Sequence, residues 1–556
     1  RDRRRRSRRR RGWRRRRKPR ILMTDVSLIL AKQSAMEAMR SPWENHWAEV
    51  AERILPRQDD FFGRRQQGEK RTAKVFDSTA IYAVERFAAI MESILTPRTQ
   101  LWHKIKPKGV GEGDGGPIGE WFDTVNQRLY DLRYSPRAAF ASNAHEGYMG
   151  LGVFGTSAMY CASAPGAPLW YRLCHLSEIF FAEDAWGRID TVHRKYTMTA
   201  RQVVQSFPRE RIPAKVIDLA DKKPDTAEIV CLHCTSPNPA PVEGREDAEG
   251  MPWRSVYVLP EYSAIVDEGG FWSFPWLVSR YVTAPREIYG RSPGMSALAD
   301  VKMLNEAAKS RAKSWHYAND PSLLMADDGV LTPLNVRPGA LIGGGIDENG
   351  RPRVVPLQNG ARLDIDQAMT DQIRSGINDA FLVSLFQILV DGPKMTATEV
   401  LERAREKGAL MTPVMGRQHS EFLGPMIERE IDLLARANLL PPPPPELMEM
   451  GGEYEIEYKS PLSNAARAED ALSVQRMMAQ LEPLLAVQPD VFDLIDGDEV
   501  VRVTHNANGV PNRILRTGEE VDAIRERRAQ QQAMQAAMQA GPAAAQTVSG
   551  LSKAMA

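Results

Sequence analysis

Cysteine and long apolar segments are both scarce in this chain of 556 residues. Four cysteines cannot build a disulfide framework in a chain of this length, so the sequence predicts a reducing compartment. The longest apolar run, residues 380–390, is interrupted by Ser384 and Gln387 and is too short to cross a bilayer. No apolar segment of adequate length follows the N-terminal charges, so we expect no secretory signal. We therefore expect no membrane among the partners.

The motifs that bind nucleotides or metals are also missing. Neither glycine-rich loop leads into GK[ST], so there is no Walker A motif, and HExxH is absent as well. Cys231, His233 and Cys234 resemble a set of metal ligands, but Cys161 and Cys174 supply no second CxxC pair. In a strand, Cys231 and His233 would lie on one face and Cys234 on the other. The sequence therefore predicts buried strand cysteines, with no metal and no cofactor.

One serine motif has the form of a catalytic site. Residues 290–294 fit GxSxG, the turn that presents a nucleophilic serine in many hydrolases. That turn uses a backbone N–H from the residue after the serine, and Pro293 has none. Ser292 as a helix N-cap, with Pro293 in the first helical position, accounts for the same residues. We therefore expect a structural role here and no enzymatic activity.

The net charge of +2 hides an uneven distribution. Residues 1–20 contain fourteen arginines, one lysine and one aspartate, and the rest of the chain has 58 basic and 70 acidic residues, a net charge of −12. Tight nucleic-acid binding draws its affinity from lysines and arginines that neutralise phosphates. The acidic body of the chain does not fit that pattern.

The arginine run itself has two interpretations. It is a disordered arm that grips nucleic acid or marks the chain for a partner, or it is an in-frame stretch upstream of a translation start at Met23. Residues 23–40 look like an ordinary beginning. We therefore favour the second interpretation and expect residues 1–22 to be disordered or not native.

Length predicts three or four domains, and hydrophobic periodicity predicts an α+β chain that is mainly helical. Residues 24–105 are expected to be helical, with Trp43, Trp47, Val50 and Ile54 on one face and Phe76, Ala80, Val84 and Phe87 on another. Residues 109–116 are expected to form a flexible loop, and Trp121 to Leu132 a helix that leads towards Ala144 to Tyr160. β-Branched and aromatic residues predict strands in five segments: 169–184, 189–198, 228–236, 254–260 and 276–284.

Two helices of matched length are predicted around a compact insert. Residues 293–318 carry Leu298, Val301, Leu304 and Ala308 on one stripe, and residues 361–385 are helical again. At a rise of about 1.5 Å per residue, each helix would span roughly 37–39 Å. The residues between them combine short strands with glycines, which indicates a helical hairpin with a small β domain at its tip.

A long, bent helix is predicted after the hairpin. Thr396 and Glu399 form a capping box at its start, and apolar residues then recur at helical spacing. Pro413 and the Gly424-Pro425 pair should bend this helix without ending it. Five prolines at 441–445 should stop it. Downstream we expect a strand and two helices, at residues 454–458, 465–485 and 519–539.

Several of these stretches resemble the head-to-tail connector, or portal, proteins of short-tailed double-stranded-DNA bacteriophages. That family has a helix start like MTATEV, a glycine-proline pair in mid-helix and a proline-rich stop, as residues 395–447 do. Four further blocks match the family in collinear order: 41–58, 75–105, 289–310 and 458–470. The resemblance extends over residues 23–527, nearly the whole chain.

The resemblance implies the segments of a portal subunit within an α+β, mainly helical fold. In chain order they are an arginine-rich extension (1–22), a wing (23–290), a first stem helix (291–320), a β-containing clip (321–360), a second stem helix (361–386), a channel loop (387–395), a long kinked wing helix with its proline stop (396–450), a helical crown (451–540) and a disordered tail (541–556).

The resemblance also implies a function and partners. It implies a dodecameric ring at the capsid vertex of the virion, assembled in the host cytoplasm, through which the genome is packaged and ejected. The implied partners are further copies of the chain, double-stranded DNA in the channel, a terminase, the major capsid or scaffold protein, and tail and adaptor proteins. An acidic or mixed channel wall fits this role, because a basic wall would hold DNA instead of letting it slide.

Five residues are candidates for the channel wall: Gln387, Asp391, Lys394, Lys302 and Lys309. Lys394 is the best single candidate for DNA contact, since it lies in the implied channel loop. The lysines of the first stem helix either touch phosphates, or form a solvated face or pair with a neighbouring subunit. Two other classes stay open: a phage hydrolase or nuclease with its carboxylates among 71 acidic residues, and a soluble nucleic-acid-binding protein, which only the arginine run favours.

Overall fold

The structure is a computed structural model, and it describes residues 26–63, 66, 68–108, 117–245, 247, 249–325, 346, 349–356, 363–384, 411–449, 453–459, 473–481, 495–507, 514, 516 and 520–535. The chain divides into two compact units, fewer than the three or four domains that its length predicts. The first unit comprises residues 1–42 and 178–272, and the second comprises the rest.

The helices are α1 (Val26–Ile54), α2 (Thr79–Leu95), α3 (Pro117–Arg133), α4 (Phe140–Phe154), α5 (Ala200–Ser206), α6 (Ala214–Lys222), α7 (Pro293–Asn319), α8 (Leu363–Ala380), α9 (Gly424–Arg436), α10 (Pro445–Glu449) and α11 (Gly497–Ala507). Residues 411–418, 473–481 and 520–535 are helical as well. The strands are β1 (His103–Pro107), β2 (Thr156–Ala164), β3 (Ala167–Cys174), β4 (Ile179–Glu183), β5 (Ile189–Thr199), β6 (Glu228–Pro237), β7 (Trp253–Leu259), β8 (Ala264–Phe271), β9 (Trp276–Arg280), β10 (Leu323–Met325), β11 (Val354–Pro356) and β12 (Tyr454–Tyr458).

The first unit is built on an antiparallel sheet in the order β4-β5-β6-β7-β8. Helices α5 and α6 cover one face of this sheet around Val203, Val216 and Cys231. The start of α1 covers the other face, where Ile29 packs against a cluster that includes Cys234. Because successive strand residues point to opposite faces, the two cysteines of β6 belong to different hydrophobic clusters, as predicted.

The second unit packs helices α2, α4, α7 and α8 together, with the antiparallel sheet β3-β2-β9 against α4. The rings of Phe87 and Phe381 meet in its core with their centroids 6.3 Å apart. Gly152 of α4 allows this packing, because a Cβ added there would lie 2.7 Å from the Phe87 ring. Two further antiparallel pairs, β1 with β12 and β10 with β11, complete the described sheets of this unit.

The strand-rich region and α7 lie where the sequence predicts them. The five predicted strand segments overlap β3, β4, β5, β6, β7 and β9. Helix α3 contains the predicted Trp121 to Leu132 segment, and β12 coincides with the predicted strand. Strands β2 and β8 and helices α5, α6 and α11 were not predicted.

The expectation of helices throughout residues 24–105 is wrong in two places. Between α1 and α2 the described residues contain only a short 3-10 turn, Pro56–Gln58, and residues His103–Pro107 form strand β1. Phe76 is exposed and lies outside α2. Helix α2 starts at Thr79, whose backbone N–H donates a hydrogen bond to the Asp77 carboxylate. Strand β1 pairs with β12, which lies far along the chain. The sequence around β1 therefore gave no indication of this strand.

Within the described residues, the second hairpin helix is shorter than the sequence predicts. Helix α7 has 27 residues and α8 has 18, a difference of about 13 Å in span. Leu382, just after α8, has a left-handed backbone with φ of 62°, which interrupts the helix before the predicted end at residue 385. The insert does contain a strand pair, β10 with β11, as predicted.

Several predictions lie outside the described residues. They are the glycine-rich loop at 109–116, most of the insert, the implied channel loop at 387–395 and the capping box of Thr396 and Glu399. Of the two predicted C-terminal helices, residues 473–481 and 520–535 are described, and both are helical. No helix in the described part of the chain is both long enough and apolar enough to span a bilayer.

Candidate structural site: the helical hairpin and its supports

Helix α7 begins at a serine whose hydroxyl has two partners. Ser292 Oγ accepts a hydrogen bond from Met295 N at 2.9 Å and donates one to Val153 O at 2.7 Å. Pro293 follows in the first helical position, where no backbone donor is needed. Ser292 is only 3% exposed. The N-cap prediction is therefore confirmed, and the GxSxG motif presents no accessible nucleophile.

Two glycines bring the start of α7 against the end of α4. Gly155 ends α4 with φ of 73°, and a Cβ there would lie 2.6 Å from the Gly290 carbonyl carbon. Gly290 N donates to Thr156 Oγ1 at 2.8 Å, and Tyr281 N donates to Gly155 O at 2.9 Å. Only residues without a Cβ allow the two backbones to approach this closely. The two glycines therefore fix where the hairpin leaves the rest of its unit.

The two hairpin helices share a buried apolar seam. Val301 and Leu304 of α7 and Ile377 of α8 are almost fully buried. Further along, Arg311 of α7 donates a hydrogen bond to Thr370 Oγ1 of α8. These contacts confirm the predicted stripe on α7 and the antiparallel pairing of the two helices.

Residues before α2 join both hairpin helices. Asn305 Oδ1 of α7 accepts from the backbone N–H groups of Phe76 and Asp77, at 2.7 and 3.1 Å. Arg374 of α8 pairs with Asp77 at 2.7 Å. Burial alone would raise the pKa of Asp77, but hydrogen bonds from Thr79 and the Arg374 charge outweigh it and lower that pKa. The Asp77 carboxylate therefore stays ionised and links α2 to the hairpin.

The candidate channel residues on α7 both have acidic partners within the chain. Lys302 forms an ion pair with Glu49 of α1, and the hydrogen bond from Lys302 lowers the pKa of Glu49. Lys309 lies 3.4 Å from Glu306, and its ammonium is 5.6 Å from the centre of the Phe76 ring. Both lysine side chains keep about two fifths of their surface exposed. Gln387, Asp391 and Lys394 lie outside the described residues.

The predicted bend of the long helix takes the form of a π-helical turn. Residues 411–418 are α-helical, His419–Leu423 are π-helical, and α9 continues from Gly424. The Gly424 N–H bonds to His419 O, one residue further back than in an α-helix, and Pro425 has no N–H to donate. A Cβ on Gly424 would lie 3.0 Å from that same oxygen. The glycine-proline pair therefore lies directly after a π-helical turn, and the helix continues beyond it.

The end of the helix differs from the prediction. Asn438 has a left-handed backbone with φ of 52°, and Leu439 N bonds back to Leu434 O at 2.9 Å. This is a helix-ending arrangement in which the residues after the last turn satisfy its carbonyls. The prolines at 441–445 follow a helix that has already ended, so they do not stop it.

A buried arginine holds the π-helical turn against strand β9. Arg280, only 5% exposed, bonds to both carboxylate oxygens of Glu421, with Nη2 to Oε1 at 2.9 Å and Nε to Oε2 at 3.1 Å. Gln418 Nε2 donates to Arg280 O at 3.0 Å, and Arg280 Nη1 donates to Ile288 O at 3.1 Å. The position of the bend is thus fixed from β9 and from the segment before α7.

A second buried ion pair joins α9 to α3. Arg133 and Glu430 are both fully buried, and Arg133 Nε donates to Glu430 Oε1 at 2.8 Å. Tyr171 of β3 donates its hydroxyl to the same carboxylate. Burial alone would lower the pKa of Arg133, but the Glu430 charge raises it, so the guanidinium stays ionised. The three side chains tie a helix, a strand and the long bent helix together.

The Cys231–Cys234 segment has no metal-binding geometry. His233 Nε2 lies 2.9 Å from Ser255 Oγ, and its ring stacks on Tyr257 with centroids 4.1 Å apart. Burial raises the pKa of the Cys231 thiol to about 11, so the thiol stays protonated. Among the described residues no group of His, Cys, Asp or Glu side chains is placed to hold a metal ion.

Sequence reasoning missed both buried ion pairs. Arg133 and Glu430 are 297 positions apart, and Arg280 and Glu421 are 141 apart, so no local spacing connects them. A weak signal was present in α9, where Arg429 and Glu430 interrupt the side of the helix that carries Met426 and Leu434. Charged residues at buried positions of a helix indicate that each has an oppositely charged partner, but the sequence does not identify that partner.

Comparison with known proteins gives a consistent result across nearly the whole chain. The family profile described as "Bacteriophage head to tail connecting protein" matches residues 27–515. The "Probable portal protein" of Bordetella phage BPP-1 is 29% identical over 524 residues, covering 93% of each chain. The "Portal protein" of Salmonella phage epsilon15 is 28% identical over 545 residues, covering 95% of this chain and 96% of its own.

Among solved structures, a chain of the "Virion of native gene transfer agent (GTA) particle" is similar to this one at 13% identity, covering 82% of this chain and 98% of its own. Its TM-score is 0.32, too low to carry a structural argument. The family match stands on the sequence profile, which covers well over half of the residues. The chain belongs to the family of bacteriophage head to tail connecting proteins.

Proposed function

We propose that this chain is the portal subunit of a bacteriophage, which forms a ring at the capsid vertex and joins the head to the tail. The phage genome passes through this ring during packaging and ejection, and the protein is part of the virion. The observation that carries the proposal is the match to two phage portal proteins over at least 93% of each chain. A partial match would show a shared domain, whereas this one extends over the whole architecture.

Within this role we assign α7 and α8 to the stem and the β10–β11 insert to the clip. The packed antiparallel helices and the strand pair that follows α7 support the assignment. Residues 23–290 are the wing, 387–395 the channel loop, 396–450 the long wing helix and 451–540 the crown. The π-helical turn and its Arg280–Glu421 contact fit a long wing helix that must keep a fixed shape while DNA is forced through the ring.

The finer partners belong to the same proposal. The ring is a dodecamer, the terminase docks on it during packaging, and the capsid or scaffold, tail and adaptor proteins bind its outer surfaces. We assign Gln387, Asp391, Lys394, Lys302 and Lys309 to the channel wall. The exposure that Lys302 and Lys309 keep beside their acidic partners supports this, because a partly neutralised wall would not trap DNA.

The role is structural and makes or breaks no bond. The buried, doubly hydrogen-bonded Ser292 supports this against a hydrolase. The absence of a metal-binding group among the described residues leaves the nuclease alternative without a site there.

Particle size tests the proposal. The purified full-length chain should sediment as a large ring and show annuli with a central hole in negative-stain images. A stop codon in the gene for this chain should leave its phage with capsids that contain no DNA. A chain that stays monomeric at all concentrations, or that cleaves DNA when Mg²⁺ is added, would contradict the portal role.

A further inference from the structure

The turn between β4 and β5 carries a tryptophan that is open to solvent. Trp186 is 79% exposed, the highest value among the large hydrophobic side chains that the structure describes. Single exposed apolar residues are common on protein surfaces, so exposure alone indicates no role. The contacts that hold Trp186 in place distinguish it from such residues.

One carboxylate fixes the turn that carries Trp186. Asp184 Oδ1 accepts hydrogen bonds from the backbone N–H groups of Trp186 and Arg188, at 2.8 and 2.9 Å, and Asp184 Oδ2 accepts one from Arg188 Nε at 2.9 Å. Gly187 supplies the left-handed backbone of the turn, with φ of 77°. The Arg188 guanidinium lies over the Trp186 ring, 5.3 Å from its centre. The indole is therefore held in place although it is almost fully exposed.

A second exposed segment lies at the same end of the five-stranded sheet. Val192, near the start of β5, is opposite Thr235, near the end of β6, so the β4–β5 turn and the β6–β7 loop follow the same edge. The loop carries Val242, which is 45% exposed. Residues 183–190 and 238–252 contain seven acidic and two basic residues, a net charge of −5. We call these two segments together the acidic end of the first unit.

The charge of the acidic end determines which kind of partner fits it. DNA phosphates and anionic lipid head groups would be repelled, and so would the acidic end of a second copy. Tryptophan and arginine are enriched among the side chains that contribute most to protein interfaces, and an anchor that is already held loses little conformational entropy on binding. Complementary charge across an interface speeds association and excludes wrong partners. The acidic end therefore fits a protein that has an apolar pocket with a basic rim.

We propose that the acidic end docks another protein of the virion, with Trp186 in an apolar pocket of that protein and its lysines or arginines around the indole. The inference rests on the proposed function, because a portal subunit meets the other proteins of the virion. It goes beyond that function in naming the anchoring residue and the chemistry of the partner surface. Val242 adds a second apolar contact at the same end of the sheet.

The test measures binding of the full chain to the capsid, scaffold, tail and adaptor proteins of its phage, each purified separately, by surface plasmon resonance. Trp186→Ala should weaken the binding of one of these proteins at least tenfold, because it removes the anchor from its pocket. That binding should also weaken as salt rises, since opposite charges face each other across the contact. Trp315→Ala is the matched control, a tryptophan that is 63% exposed in the second unit, and should bind as the wild-type chain does.

A second substitution separates the indole from the turn that holds it. Asp184→Ala keeps Trp186 but removes the three hydrogen bonds that the carboxylate accepts from Trp186 and Arg188. The affinity for the same protein should fall about three- to tenfold, because the freed turn must be ordered on binding. Thermal melting shows whether each variant is folded.

The outcomes separate this inference from the proposed function. Loss of binding in folded Trp186→Ala, with wild-type binding by Trp315→Ala, supports the acidic end as the docking site. Equal affinity of wild-type and Trp186→Ala chains for every one of these proteins overturns it and leaves the portal role intact. Failure of folded Trp186→Ala to form rings also overturns it, since the contact would then lie between copies. A wild-type chain that forms no ring removes the proposed function itself, whatever the binding data show.

Discussion

At the residue scale, the most unusual groups are charged side chains that are buried or nearly buried. Burying an ion pair rarely adds net stability, because the desolvation cost offsets the attraction between the charges. Removing one partner is costly, however, because it leaves the other charge buried and alone. The ion pairs Arg133–Glu430 and Arg280–Glu421 therefore contribute to the specificity of packing. They determine which segments pack together and hold the bent helix in a single position against α3 and β9.

Two buried histidines are expected to make the first unit sensitive to acid. His193 Nδ1 lies 3.0 Å from Gln33 Oε1, and burial lowers the pKa of both His193 and His233 from 6.5 to about 3. Between these two pH values the unfolded chain binds more protons than the folded chain does. The free energy of unfolding should therefore fall as the pH drops below about 6.5, by about 1.4 kcal/mol per pH unit for each histidine. The positive charges of Lys32 and Arg194 also contribute to the lowering of these pKa values.

The measurement is the denaturant unfolding of the first unit between pH 7 and pH 5. His233→Gln should lose about half of the pH dependence, since one of the two titrating groups is gone. His316→Gln, at an exposed position of α7, is the control and should keep the wild-type slope. An unchanged slope in His233→Gln would show that these histidines do not govern acid sensitivity.

At single residues, the sequence predicted only features that depend on neighbouring positions in the chain. The Ser292 cap followed from its neighbours, and the opposite-facing cysteines of β6 followed from strand alternation. Arg133 and Glu430 could not be paired in this way, because their proximity exists only in the folded chain. The local part of the site was therefore predictable and the long-range part was not.

At the element scale, the junction between α4 and α7 depends on a position with no side chain. Gly155→Ala should destabilise the second unit by about 2 kcal/mol or more, since a left-handed backbone costs about 1–2 kcal/mol for a residue with a Cβ. The new Cβ would also press on the backbone at Gly290. The shift in the thermal unfolding midpoint measures the effect.

Gly150→Ala is the matched control for this substitution. Gly150 lies within the same helix, and nothing is within 4 Å of the place where its Cβ would be. Alanine should stabilise α4 there by roughly 0.5–1 kcal/mol, because glycine is the poorer helix former. Equal destabilisation by both changes would mean that the close backbone approach is not the cause.

Elements were predicted where their pattern is self-contained and missed where it depends on a distant partner. Helix α7 has a cap, a proline and an apolar stripe of its own, so its start was placed correctly. Strand β1 has only five residues, and its partner comes from the far end of the chain. The end of α8 depends on the left-handed backbone of Leu382. Leucine rarely adopts this conformation, so the sequence could not predict it.

At the scale of the whole molecule, the arginine run and the rest of the chain carry opposite net charges. The full chain should bind duplex DNA non-specifically, with an affinity that falls steeply as salt rises, because arginines release counterions from phosphates. A chain without residues 1–20 carries a net charge of −12 and should show no such binding. Filter binding at several salt concentrations checks both. Strong, salt-dependent binding by the shortened chain would contradict an acidic conduit.

One strand pair has a consequence for how the subunit is made. Lys108, at the end of β1, and Glu453, beside β12, are 345 positions apart, and both flank the same two-stranded sheet. At about 5–20 residues per second, the ribosome needs roughly 17–70 s to produce the second strand after the first. Until then the β1 edge is unpaired and open to the wrong strand. Slower translation of this interval should therefore increase aggregation of the newly made chain.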